Sequence, residues 1–326
     1  MSFDRRHFLL QSGALLATAA APLATWAQAY PERAVRVVVP FAPGGPTDII
    51  GRVIAQGLAE HFGQPFSVEN IGGAGGNIGV GQAARAAPDG HTLLVAAASY
   101  AVNPSLFDKV PYDPSKDFSV VTFAATAPTV LTVHPSVPAR TVSELVNLIR
   151  ANPGKYSYAS PGPGTPPHLV GELFRLAFKL DLVHVPFKGG GPALASTLAG
   201  HTPISLGALP PAVQYVKDGS LRAVAITSRS RAGALPEIPT MADEGHPDIA
   251  ADIWQAVLVP ARTPPEIVRQ LNRGIVAVIT QPQVRERLTA LGYEPIGTPR
   301  DESETEMRRE LAKWAKVVHD AGIKLG

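Results

Sequence analysis

Residues 35–63, VRVVVPFAPGGPTDIIGRVIAQGLAEHFG, constrain the fold more than any other stretch, because a strand, a glycine turn and a helix succeed one another without slack. Val35 to Val39 is nearly all β-branched and is stopped by Pro40 and Pro43, which marks a buried strand of parallel type. Gly44 and Gly45 allow backbone geometry that a Cβ forbids. Thr47 or Asp48 is placed to cap a helix whose apolar residues fall at Ile50, Val53, Ile54 and Leu58 and which ends at Gly63. The free N–H groups and the dipole at such a helix start both favour negative charge. No lysine or arginine lies between Val37 and Gly51, so an anion here is held by backbone amides and hydroxyls. That suits a small carboxylate better than a polyphosphate. Strand–glycine–helix turns also occur in α/β domains that bind nothing, so this one needs corroboration.

Residues 1–29 read as an export signal. Arg5 and Arg6 precede an apolar stretch from Phe8 to about Ala24, and Ala27-Gln28-Ala29 fits a cleavage site after Ala29. The arginine pair suits both the twin-arginine and the general secretory routes. The chain from Tyr30 onward is long enough for two domains and has no further apolar run able to cross a bilayer, so no direct membrane insertion is expected. With a net charge of only +2, nothing argues for nucleic acid or an anionic membrane surface. The chain has no cysteine, which excludes disulfides, thiolate zinc sites and a cysteine nucleophile. No metal site and no cofactor are expected. With 32 prolines and 30 glycines the chain is densely punctuated, which predicts short alternating strands and helices.

A second glycine run, Ile71 to Gly79, misses the dinucleotide fingerprint: counted from Gly73, the sixth position is Ile78. It reads as close backbone packing beside a cleft. Ser99, Tyr100 and Asn103 lie just past the strand His91 to Ala98, where open α/β sheets place ligands, although Asn103-Pro104 also reads as a turn. Val130 to Val133 is expected to begin a second α/β unit, with Thr141 and Glu144 forming a capping box. In that unit Tyr156 to Phe178 repeats the logic of the opening stretch: strand, Gly162 and Gly164, then Thr165 as N-cap and Pro166 at the first helical position. Two such turns facing each other would hold one carboxylate between two helix N-termini. His168 lacks a partner at metal-ligand spacing and reads as a structural group or a donor to the ligand. Lys188 reads as a solvated loop lysine. The last helices, Pro264 to Ile279, Pro282 to Leu291 and Pro299 to Ala321, read as sheet-covering, the third with a capping box at Thr298 and Asp301.

The segments VRVVVPFAPGGPTDIIGR, VENIGGAGGNIGVGQAARAAPDGHTLL, YASPGPGTPPHLVGELF, VPFKGGGPAL, LRAVAITSRSRAGALPEIPTMADEGHP and WAKVVHDAGIK occur in this order over nearly all of the chain beyond residue 29. Together they resemble the Bug family of periplasmic solute-binding proteins, which serve tripartite tricarboxylate transporters. The resemblance implies an α/β, two-domain periplasmic-binding-protein (Venus flytrap) architecture, with a mixed β-sheet flanked by helices in each domain. The implied division is 30–128 plus 253–326 for one domain and 129–252 for the other, with the ligand cleft between them. It implies a monomer that binds a small organic carboxylate and meets inner-membrane transporter subunits. Implied ligand residues are Phe41, Gly44, Gly45, Pro46, Thr47 and Asp48 in the first turn and Ser160, Gly162, Gly164, Thr165 and His168 in the second, with Ser99 added from its place in the sheet. Asp48 is expected to order the loop and not to touch the ligand's charge. Where family members commonly carry an acidic residue, this chain has Ile204-Ser205-Leu206-Gly207-Ala208-Leu209, which disfavours amino-acid ligands and favours a plain or aromatic carboxylate.

The competing reading is a secreted α/β hydrolase using the same cleft. Against it, no serine sits in a Gly-x-Ser-x-Gly elbow, and the chain has no His-Glu-x-x-His and no phosphate loop.

Overall fold

The computed structural model describes residues 30–228, 230–249 and 252–321. The expected export signal lies outside the described residues. No described helix is long and apolar enough to cross a membrane.

One mixed sheet runs through the molecule in the order β2-β1-β3-β9-β4-β7-β5-β6, with β8 and β10 also paired to β4. In the first lobe β1 (Val35–Val39) lies parallel to β2 (Phe66–Asn70) and β3 (Thr92–Ala97). In the second, β5 (Ser157–Ser160) lies parallel to β6 (Val183–Pro186) and β7 (Ile204–Ala208). The lobes are joined by β4 (Phe118–Val133), a 16-residue strand. From Phe118 to Pro128 it pairs antiparallel with β9 (Asp252–Pro260), and two residues of β10 (Glu294–Pro295) join it there. From Thr129 onward it pairs with β7 on one side and β8 (Arg222–Ile226) on the other. Val130 to Val133 is therefore the far end of a strand that starts in the first lobe, not the start of a new unit. Pro128 and the alanines before it hide this continuity in the sequence, because proline removes a ladder donor and normally marks an edge or a break. Here it stands where β4 changes partner.

Helices cover both faces of each lobe. α1 (Pro46–Phe62) buries Ile50, Ile54 and Leu58 and stops at Gly63, whose φ of 71° is left-handed. α2 (Asn77–Ala84), α3 (Ser99–Leu106), α8 (Pro265–Thr280), α9 (Pro282–Ala290) and α10 (Arg300–Ala321) complete the first lobe. α4 (Val142–Arg150), α5 (Pro166–Ala177), α6 (Gly190–Leu198) and α7 (Leu209–Lys217) belong to the second. The Thr141 hydroxyl accepts from the Glu144 N–H as expected, but the Glu144 carboxylate reaches the Arg140 N–H at 2.7 Å. Asn103-Pro104 is helical and not a turn. The missing Pro104 N–H would have bonded the Tyr100 carbonyl, which instead accepts from the Tyr112 hydroxyl at 3.1 Å. Thr298 does not cap α10 in the manner of a capping box: its hydroxyl accepts from the Phe123 N–H at 2.9 Å and meets Ser303 Oγ at 2.5 Å.

α10 is fastened to the crossing strands through one carboxylate. Glu310 Oε2 accepts from the Trp254 indole at 2.6 Å and from the Trp314 indole at 2.9 Å, and all three side chains are buried. Glu310→Leu would leave two indole N–H groups unpaired and is expected to cost about 2–4 kcal/mol in urea unfolding, with Glu310→Gln costing about 1 kcal/mol. Equal stability of Glu310→Leu and the native protein would show that the carboxylate does not hold the helix.

Candidate functional site

The first turn is built by one buried carboxylate. Asp48 Oδ2 accepts from the Gly44 N–H at 3.0 Å and from Arg52 Nε at 2.9 Å, and Oδ1 accepts from Asn70 Nδ2 at 2.9 Å. The same Asn70 amide reaches the Phe41 carbonyl at 3.0 Å. Burial pushes the Asp48 carboxyl up, but hydrogen bonds from Arg52, Gly44 and Asn70 outweigh it and hold the group below the usual carboxylate range. Asp48 thus orders the loop. It is not the N-cap, and neither is Thr47: the cap position is Gly45, in extended geometry and without a side-chain bond, and Pro46 opens the helix.

The second turn is held from behind by two imidazoles. Ser160 Oγ hydrogen-bonds His184 Nε2 at 2.7 Å, in a direction set by the imidazole tautomer, and accepts from the Gly162 N–H at 3.2 Å. His168 Nδ1 accepts from the Gly164 N–H at 3.3 Å. The two rings lie against each other with centroids 4.4 Å apart. Burial, then the neighbouring His168, pushes the His184 imidazole down to about 4, and burial lowers His168 as well. Both rings act as neutral scaffolding. Thr165 takes the N-cap position, but its hydroxyl donates to the Gly162 carbonyl at 2.7 Å and not to its own helix. Ser160 is fully buried, so its short contact with His184 braces the loop and presents no exposed nucleophile.

A third turn, Gly189-Gly190-Gly191, completes the arrangement. The Ala42 N–H donates to the Lys188 carbonyl at 3.0 Å, joining one lobe to the other through backbone alone. The approach is close enough that a Cβ on Gly191 would stand 2.3 Å from the Pro43 carbonyl oxygen. At the opposite end of the contact a Cβ on Gly75 would stand 2.2 Å from the Pro163 oxygen. The glycine run 72–76 is therefore packing beside the cleft, as its failed nucleotide pattern suggests.

Between these turns lies a cavity of about 30 Å³. Phe41, Pro46, Thr47 and Ser99 line it from the first lobe and Thr165 from the second, all singled out in the sequence. Gly44 and Gly45 form the adjoining turn. Asp48, Ser160, Gly162, Gly164 and His168 stand behind the wall and shape it. Sequence reasoning missed Gly190, Ala208, Ala97, Ile253, Pro161 and Pro167. GGGPAL carried the same glycine-to-helix signal as the other two turns and could have given Gly190. The alanines and Ile253 show only once the strands are registered.

The lining reveals a common feature. Pro46, Ser99, Pro166 and Gly190 are the first residues of α1, α3, α5 and α6, and Ala208 is the N-cap of α7. Five helix N-termini, drawn from both lobes, point their positive dipole ends at one small space. Among the described residues, no charged side chain lines it. Pro46, Pro166 and Pro167 offer no N–H, which gives weight to the Thr47 and Ser99 hydroxyls. Both are buried, and neither has a partner among the described residues. A larger groove of about 760 Å³ runs along α10, but Asp301, Glu302 and Glu306 wall it and make it unsuited to an anion. The central cavity has room for a water or two, at about 10–15 Å³ each, and not for a ligand of several heavy atoms.

Two α/β lobes joined by crossing strands, with helix ends turned into the gap, define a periplasmic binding protein. A family profile described as "Tripartite tricarboxylate transporter family receptor" (TctC) matches residues 50–323, and the chain belongs to that family. It is 36% identical to protein BugT of Bordetella pertussis over 96% of this chain and 97% of that protein. Among solved structures, Rpa4515 of R. palustris with adipate superposes with a TM-score of 0.87 at 33% identity, over 90% of this chain and 99% of that one. MatC of Rhodopseudomonas palustris with bound malate gives 0.83 at 32% identity, over 89% of this chain and 100% of that one.

The imidazole pair sets a pH dependence. An unfolded histidine titrates near 6.5 while His184 in the fold is pushed down to about 4, so the unfolded chain binds more protons between these values. Stability is therefore full above the upper value and falls as pH falls through the window. The melting temperature is expected to drop across that range, and His184→Gln to flatten part of the drop. A slope identical in the variant would contradict neutral bracing by His184.

Proposed function

We propose that this protein is an extracytoplasmic receptor that captures a small organic carboxylate between its lobes and delivers it to a tripartite tricarboxylate transporter in the inner membrane. The observation that carries the reading is the convergence of helix N-termini from both lobes on a cavity without charged side chains. In this reading the anion lies between the first turn (Phe41, Gly44, Gly45, Pro46, Thr47) and the second (Gly162, Gly164, Thr165). The Thr47 and Ser99 hydroxyls and the Gly190 end of α6 complete its cage. Asp48, Ser160 and His168 hold the turns in shape. The lobes correspond to 30–128 plus 253–326 and to 129–252, and the hinge lies where β4 exchanges β9 for β7. Adipate in one relative and malate in another support the ligand class. Capture proceeds without turnover, on an exported monomer, and the partners are the ligand and the membrane subunits of the transporter.

A melting-temperature screen against mono-, di- and tricarboxylates and aromatic acids tests this directly. A ligand at about 100 times its dissociation constant adds roughly 2.7 kcal/mol of stability. One carboxylate class is expected to raise the melting temperature, and Thr47→Ala to abolish most of the rise. Binding confined to cations or neutral sugars would overturn the reading.

A further inference from the structure

Under the cavity the sheet carries small side chains and two polar ones. β9 places Gln255 between Ala97 of β3 and Ala125 of β4. Directly opposed residues of antiparallel strands project from the same face, so the Gln255 carboxamide stands on the side that carries both alanines. Alternation puts Ile253 there as well, and Ala97 and Ile253 both line the cavity. Further along β4, Ala127 opposes Ile253 and Thr129 opposes Ala208, which lines the cavity from the other lobe.

Gln255 is 0% exposed, yet neither its Nε2 nor its Oε1 has a partner among the described residues. The Thr129 hydroxyl is equally buried and equally unpartnered. Buried polar atoms are nearly always hydrogen-bonded, and an unmade bond there is costly. Neither side chain is itself among the residues that line the cavity, but each is paired directly with one that is, Gln255 with Ala97 and Thr129 with Ala208, and they are the unpartnered polar groups just behind that lining. The carboxamide needs an acceptor for Nε2 and a donor for Oε1. A carboxylate supplies acceptors only, and a second ionised carboxylate would be buried in a lining without a cationic side chain. A hydroxyl supplies both roles from one atom.

We propose that Gln255, assisted by Thr129, is the specificity contact of the cleft and selects a carboxylate that bears an uncharged hydroxyl on its body or far end. The proposal rests on the carboxylate-receptor reading and adds which members of that class are taken. Helix ends hold the charge, while the hydroxyl accepts from Gln255 Nε2 and donates to Oε1 or to Thr129. An acid that lacks the hydroxyl leaves the carboxamide buried and unpaired when the lobes close.

The test is titration calorimetry of the purified protein with three matched sets: butyrate, hexanoate and benzoate, each beside its terminal-hydroxyl analogue and its dicarboxylate. In the set that binds most tightly, the hydroxyl analogue is expected to bind about tenfold or more tighter than the other two members, the worth of one buried hydrogen bond. Gln255→Met should bring the hydroxyl analogue to within about twofold of the unsubstituted acid, which should bind no more weakly than before because it no longer leaves a buried amide unpaired. Thr129→Val should shift the ratio in the same direction. The ligand-free melting temperature of Gln255→Met should hold or rise, because the substitution removes an unpaired buried amide. A dicarboxylate preference, a hydroxyl preference that survives Gln255→Met, or a fall in ligand-free melting temperature overturns the proposal while leaving the carboxylate reading intact. If no acid of any set binds, the carboxylate reading itself fails and takes the proposal with it.

Discussion

A buried anion must be compensated, and the described residues that line the cleft include no side-chain cation to do it. The compensation available is the ends of five helices, and much of the structure is arranged to bring those ends together. Strands β1, β3, β5 and β7 finish at the cleft, and each hands the chain into a turn and then a helix start. The same geometry explains why Asp48 sits so near an anion site without spoiling it. Its charge is taken up by Arg52, Asn70 and the Gly44 amide, so it stiffens the loop beside the cavity.

Closure depends on the absence of side chains at a few backbone positions. The lobes meet through Gly191 against Pro43 and Gly75 against Pro163, and a Cβ at either glycine would overlap a carbonyl oxygen. Backbone-to-backbone contact of this kind excludes water around the ligand and strengthens the field of each helix end. In the proposed reading it is also reversible, since the Ala42–Lys188 hydrogen bond and a set of glycine contacts are what the lobes break and remake about β4 and β9.

The parts of the fold written in local sequence were legible beforehand. The β-branched run of Val35–Val39, the proline at the first position of α5 and the left-handed Gly63 each act over a few residues, and the observed bounds agree with them closely. The caps were less legible: Thr165 takes the expected cap position but its hydroxyl bonds Gly162, while Thr47 and Asp48 lie inside α1 behind Gly45, and Asp48 bonds the loop. The length of β4 was hidden by Pro128, which local rules treat as a break and which tertiary pairing tolerates at the partner change. Gln255 was not legible at all. It is one polar residue in an apolar strand, and its meaning appears only when strand register places Ala97 and Ala125 on either side of it.

The central claim is that the two lobes close their glycine turns around an anion. The chain has no cysteine, so Gln82→Cys on α2 and Leu176→Cys on α5 would carry the only two spin labels, on helices that start beside the Gly75–Pro163 contact. Pulsed electron-spin measurement of the distance between them reads lobe separation directly. Closure on an anion predicts a longer, broader distribution for the ligand-free protein that sharpens and shortens on saturation with a carboxylate that raises the melting temperature. An identical distribution with and without such a saturating carboxylate would contradict it.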